Sequence, residues 1–148
     1  MEQNSQSANV MTKEKMVEYF ESFNKAGEEA TFKKYYTEDA TFKTPWGRNF
    51  TGVNEIIKYM VEETHYGGKL KETLQPKKIL IDGDDVAVEL VTEFEALEDI
   101  PRFHLGPSFK KGEKIQWILS AFYTIRDGKI SGVQIYVVLE PWLRKWLS

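Results

Sequence analysis

The run Val86-Ala87-Val88-Glu89-Leu90-Val91-Thr92-Glu93-Phe94-Glu95 decides the fold. Val86, Val88, Leu90, Thr92 and Phe94 fall on one parity; Ala87, Glu89, Val91, Glu93 and Glu95 fall on the other. Side chains along a strand point alternately to opposite faces, so this run predicts a long strand with one buried and one wetted side. The same period returns downstream, where Ile115, Trp117, Leu119, Ala121, Tyr123 and Ile125 form the inner face of another strand. Ile130 to Leu139 predicts the last strand. Lys69 to Ile81 predicts one before the central run, with a bulge at Pro76, which has no N–H to give to a ladder. Asp82-Gly83 and Asp127-Gly128 lie between these runs and predict tight hairpin turns.

Upstream the period changes to that of a helix. Thr12 is a suitable N-cap for a helix reaching Lys25, with Met16, Tyr19, Phe20 and Phe23 on one face and Gly27 as its end. Glu28 to Tyr36 predicts a short second helix. Val53, Ile56, Ile57, Met60, Val61 and Thr64 follow helical spacing through a third, stopped at Gly67-Gly68. Between the second and third, Ala40 to Thr44 is extended and turns at Pro45-Trp46-Gly47. Helices followed by a run of antiparallel strands give an α+β pattern: about five to six strands in a curved sheet, with three helices on one face. Leu97 to Glu113, containing Pro101 and Pro107, is long for a hairpin loop and predicts a functional or mobile connection. Pro141-Trp142-Leu143-Arg144-Lys145-Trp146-Leu147 predicts a short amphipathic tail helix over part of 141–148.

Composition narrows the function. The 148 residues suit one domain, expected at 11–148 behind a frayed polar arm at 1–10. Lys plus Arg number 20 and Asp plus Glu 23, a net charge of −3, which lacks the basic footprint of a nucleic-acid binder. The chain has no cysteine, which excludes disulfides, thiol catalysis and thiolate metal sites. The two histidines, His65 and His104, are far apart and form no ligand motif, so neither a metal nor another cofactor is expected. No run approaches a membrane span and no signal-peptide pattern opens the chain, so a cytoplasmic protein without membrane contact is expected. The 9 Phe, 7 Tyr and 4 Trp make about a third of the apolar residues rings, a content that serves either a core or a ring-lined pocket.

Several strings resemble the SnoaL-like branch of the NTF2-like superfamily. Phe23-Asn24-Lys25-Ala26-Gly27 resembles the end of that family's first helix. Tyr36-Thr37-Glu38-Asp39-Ala40-Thr41-Phe42, running on to Pro45 and Gly47, resembles its helix-to-strand passage. Thr51-Gly52 opens the third helix, and Arg126-Asp127-Gly128-Lys129-Ile130 resembles its last hairpin. His104-Leu105-Gly106-Pro107 followed by Lys111-Gly112-Glu113-Lys114 resembles the loop before the penultimate strand. The similarity runs from Met11 to Val138 and implies a cone with a central pocket, the sheet wrapping the helices. The fold hosts isomerases, dehydratases, cyclases, hydrolases and binding proteins, so it does not assign an activity.

The resemblance also locates what this chain lacks. Ketosteroid isomerase, of the same fold, uses an Asp base with a Tyr and a protonated Asp as oxyanion donors. Those positions fall on Thr44, Phe20 and Ala121, none of which can perform that chemistry. SnoaL-type cyclases commonly carry an acid at the Ala121 position and often a histidine on the last strand, where this chain has Gly132-Val133-Gln134.

The candidates that remain are rings and hydroxyls. Phe20, Thr44, Trp46, Tyr59, Thr92, Trp117, Ala121, Tyr123, Gln134 and Tyr136 are the expected pocket set, with Ala121 leaving room between Trp117 and Tyr123. The plainer alternative is that these rings fill the cone as core. His104, beside Arg102 and Phe103, is the candidate catalytic base, because imidazole exchanges protons near neutrality; the plainer alternative is a solvated loop histidine. His65 is read as a cation at a helix C-terminus, and Glu93 and Glu95 as solvent-side. The expected function is binding of a small apolar or aromatic molecule, with at most cofactor-independent proton transfer of the isomerase or dehydratase type. Two alternatives stand beside it: a non-catalytic dimeric module using the sheet face and the Trp142/Trp146 tail, and a lyase or isomerase with His104 as general base. A homodimer is the expected assembly.

Overall fold

In the computed structural model of the chain, residues 10–101 and 108–138 are described. Helix α1 (Lys13–Ala26) starts at Thr12, whose hydroxyl accepts from Lys15 N at 3.1 Å, and ends at Gly27, whose φ of +85° a side chain would resist. Helix α2 (Glu28–Tyr35) follows directly and leads into strand β1 (Tyr36–Lys43). A short strand β2 (Asn49–Thr51) precedes helix α3 (Val53–Lys58). Strands β3 (Leu70–Asp82), β4 (Asp85–Ala96), β5 (Lys114–Arg126) and β6 (Lys129–Val137) then run as a meander.

The strands form a curved, unclosed six-stranded sheet in the order β2-β1-β6-β5-β4-β3, packed against the helices in an α+β architecture. All pairings are antiparallel except one: β1 runs parallel to β6, with Phe42 beside Val133. The extended piece expected to begin at Ala40 begins at Tyr36, which already pairs with Ile130; the ladder is irregular from there to Thr41, beside Gly132. Asp127 and Gly128 both have positive φ, 53° and 76°, as a two-residue hairpin turn matched to strand twist requires. The β3–β4 turn is Gly83-Asp84, one residue later than expected, since Asp82 still pairs with Asp85. Register slips between Pro76 and Lys78, the bulge that the missing N–H demands.

Two departures shape the interior. The third helix keeps α geometry only to Lys58; Tyr59–Thr64 is a π-helix, closed by His65 N donating to Met60 O at 2.9 Å. The wider turn brings Tyr59, Met60 and Thr64 all to buried positions. The long β4–β5 connection is anchored on either side of its middle, where Ile100 and Phe109 exchange two backbone hydrogen bonds and are each about 2% exposed or less.

Candidate functional site

The inner faces of β4 and β5 meet the helices in two zones. At the closed end, Tyr19 and Phe20 of α1 pack against Tyr123, with ring centroids 6.1 and 6.3 Å away. The Tyr19 and Tyr36 hydroxyls hydrogen-bond at 2.8 Å, and burial holds the phenols of Tyr19, Tyr36 and Tyr123 well above their ordinary pKa. Phe20, Ala121 and Tyr123 are buried at this end, apart from the linings of the two clefts described next.

At the other end a narrow cleft of about 70 Å³ remains, lined chiefly by Trp46, Tyr59, Thr64, Glu72, Phe94 and Trp117, with Phe42, Leu119 and Ile135 completing its apolar wall. Thr44 sets one lip: its hydroxyl donates to Arg48 O at 2.8 Å and accepts from the backbone N–H groups of Trp46 and Arg48 at 3.3 and 3.2 Å. That closed turn holds half-buried Trp46 edge-on to Trp117, centroids 6.1 Å apart. Phe94 packs on the other side of Trp117 at 4.9 Å. The π-helix supplies Tyr59, stacked on Phe50 at 4.4 Å, and Thr64, whose buried hydroxyl stands beside the Tyr59 phenol. Burial also raises the Tyr59 phenol.

The cleft ends on a buried ionic group. Glu72, on β3, accepts from Thr92 Oγ1 at 2.8 Å through Oε2, and its Oε1 lies 2.9 Å from His65 Nε2. The other ring nitrogen, Nδ1, is 3.3 Å from Glu28 Oε1. Burial alone pushes the His65 pKa down, but the hydrogen bonds and charges of Glu28 and Glu72 outweigh it and raise the value to about 9. Glu28 is correspondingly lowered, first by its hydrogen bond to His65. His65 is thus an imidazolium clamped between two carboxylates. A second, more open cleft of about 370 Å³ lies on the far side of this group, lined by Asn24, Lys25, Gly27, Glu28, His65 and Lys71 among others; Glu72 borders both.

The expected pocket residues therefore divide. Thr44, Trp46, Tyr59 and Trp117 line the cleft. Thr92 is fully buried behind it and supports Glu72. Gln134 and Tyr136 lie on the opposite face: they pair with Phe122 and Ser120, which point outward, and Tyr136 is 55% exposed. Their neighbours Val133 and Ile135 take the inward positions, because Val133 pairs with Tyr123 and Ile135 with Ala121. His104, with Arg102, and the Trp142/Trp146 tail lie outside the described residues. His65 stands at the helix end as a cation, as expected, but it is 5% exposed and paired with Glu28 and Glu72. Glu72 and Thr64 were not foreseen, yet Glu72 shares the parity of Leu70 and Leu74, a carboxylate on the apolar side of its strand. Among the described residues, no group of His, Asp and Glu is arranged to hold a metal ion.

A family model described as SnoaL-like domain matches residues 16–133, and the chain belongs to that family. Solved structures agree on the fold. A proposed polyketide cyclase from Pseudomonas putida KT2440 superposes with a TM-score of 0.70 at 23% identity, covering 86% of this chain and 92% of the other. A proposed polyketide cyclase from Xanthomonas campestris pv. campestris gives 0.70 at 21%, covering 86% and 90%. An LEH-like epoxide hydrolase of M. tuberculosis gives 0.66 at 14%, covering 88% and 86%. Comparison with curated proteins finds no match. No described helix is long and apolar enough to cross a membrane.

Proposed function

We propose that the protein binds a small apolar or aromatic molecule in the cleft between Trp46, Tyr59, Phe94 and Trp117. The observation that carries this reading is the wall itself: rings and aliphatic side chains converge on one carboxylate, the usual make-up of a small-molecule site. Any proton transfer in the cleft falls to Glu72, the only carboxylate along it among the described residues. The relatives with cyclase and epoxide-hydrolase descriptions are compatible with such chemistry on this fold, while the wall favours binding first. The volume, about half the ~150 Å³ that admits benzene, sets the size of guest unless half-buried Trp46 swings aside. The cysteine-free composition suits a reducing cytoplasmic setting.

The test is a titration with small apolar and aromatic molecules, followed by intrinsic tryptophan fluorescence. Trp117→Ala should change affinity for these guests by about tenfold, or admit larger rings, because it removes a cleft wall. His104→Ala should change it less. Absence of saturable binding in the folded wild type, or equal effects of the two substitutions, would count against the reading.

A second proposal concerns assembly. The outer face of β5 and β6 carries Ile118, Phe122 and Tyr136, with Val138 just past the end of β6, each 45–55% exposed, and Phe122 and Tyr136 touch edge-on at 5.9 Å. A contiguous apolar group in mid-sheet supports self-association there as a homodimer.

A further inference from the structure

Building on the proposed cleft, we infer that its preferred guest is a small protonated amine, held by the rings around its alkyl groups and by Glu72 at its N–H end. Three features of the wall lead to this. The Glu72 carboxylate can only accept hydrogen bonds. A guest that meets it must bring donors.

The rings supply the second term. The faces of Trp, Tyr and Phe are electron-rich, and several rings set around one volume attract a cation. Trp46 and Trp117 stand at 74° to each other with centroids 6.1 Å apart, and Phe94 lies 4.9 Å beyond at 59° to Trp117, so differently inclined rings border the same space. No lysine or arginine lines that space among the described residues. Arg48 lies over the Phe50 and Tyr59 rings, but both of its terminal nitrogens are engaged by Glu63 at 2.7 and 3.0 Å.

Local charge supplies the third. His65 stands between two carboxylates, Glu28 and Glu72, so its one ring is divided between them. An ammonium meets the Glu72 carboxylate at the cleft with a charge-assisted hydrogen bond, which a neutral guest does not. The volume of about 70 Å³ sets the guest at a handful of heavy atoms.

The deciding pair of probes is tert-butylammonium and tert-butanol, which share shape and differ in charge and donor number. Binding to the full chain is followed by calorimetry and by NMR shifts of the Trp46 and Trp117 indole N–H groups. The ammonium should bind about tenfold tighter or more than the alcohol. Glu72→Gln should bring the two close to parity, and Phe94→Leu, which removes a ring and keeps an apolar wall, should weaken the ammonium a few-fold more than the alcohol. Equal binding of the two probes, or a preference for the ammonium that survives intact in folded Glu72→Gln, overturns the inference while leaving the apolar cleft standing. Binding of neither probe, nor of any apolar molecule, removes the cleft reading as well. Should Glu72→Gln fail to fold, the wild-type pair and Phe94→Leu decide the matter: equal losses for both probes in Phe94→Leu overturn the inference.

Discussion

His65 couples the stability of the protein to pH more directly than any other described residue. Its pKa, raised from 6.5 to about 9 by Glu28 and Glu72 against the pull of burial, means that folding is favoured by the charged ring. That contribution is complete below about 6.5 and is lost as pH climbs through about 9. Glu28 works the other way: lowered from 4.5, it adds stability above that value and loses it as pH falls. Thermal and urea unfolding should therefore show a plateau between about 4.5 and 6.5 and a decline toward 9, on the order of 3 kcal/mol in full. His65→Leu should flatten the alkaline limb. It should also cost about 3–5 kcal/mol at neutral pH, because Glu72 is left buried without its counter-charge. An alkaline limb that persists in His65→Leu would assign the effect to another group. The sequence held half of this. The parity of Glu72 beside Leu70 and Leu74 marked an inward carboxylate, but the pairing with His65 joins a helix end to a strand and leaves no trace in either segment alone.

At the scale of elements, local chemistry was legible where it acts locally. Thr12 capped α1, Pro76 broke the β3 ladder, and Asp127-Gly128 made its hairpin, because each depends on a few adjacent residues. The π-helix was not legible: Val53 to Thr64 keeps helical spacing in both geometries, and the wider turn is selected by packing of Tyr59, Met60 and Thr64 into the cone. The parallel β1–β6 pair escaped for the same reason, since partner choice is a long-range property. The β4–β5 connection is a further case. Its length suggested looseness, yet Phe109 and Ile100 are core residues joined by backbone bonds of 2.7 and 2.8 Å. Phe109→Ala should thus cost about 3–5 kcal/mol in urea unfolding, the usual range for a buried phenylalanine. It should also speed amide exchange at Ile100 and Gly112 ahead of the sheet. A loss under 1 kcal/mol, or exchange unchanged at those amides, would mean that the bridge does not hold the connection down.

For the whole molecule, the distribution of apolar surface argues for a partner. The interior accounts for the aromatic richness only in part: Tyr19, Phe20, Phe32, Tyr36 and Tyr123 pack at the closed end, and Trp46, Tyr59, Phe94 and Trp117 border the cleft. Phe122 and Tyr136 serve neither, and on β5 the outward row runs from Lys114 and Gln116 through Ile118, Ser120 and Phe122 to Thr124 and Arg126. Polar residues at both ends with apolar ones between them give the layout of an interface core with a polar rim. A face of this kind, covering the broad middle of a six-stranded sheet, can supply the roughly 800 Å² per subunit of an ordinary stable dimer. If it does, light scattering should return twice the 17.2 kDa chain mass, and the melting temperature should rise with protein concentration. Phe122→Glu places a charge in the middle of that face without touching the interior, so it should yield a folded species of chain mass with an unchanged circular dichroism spectrum. Because the cleft opens on the inner side of the sheet, that monomer should still take up small guests. A wild type already at chain mass, or a Phe122→Glu protein that remains a dimer, would show that this face is not the one that joins two copies.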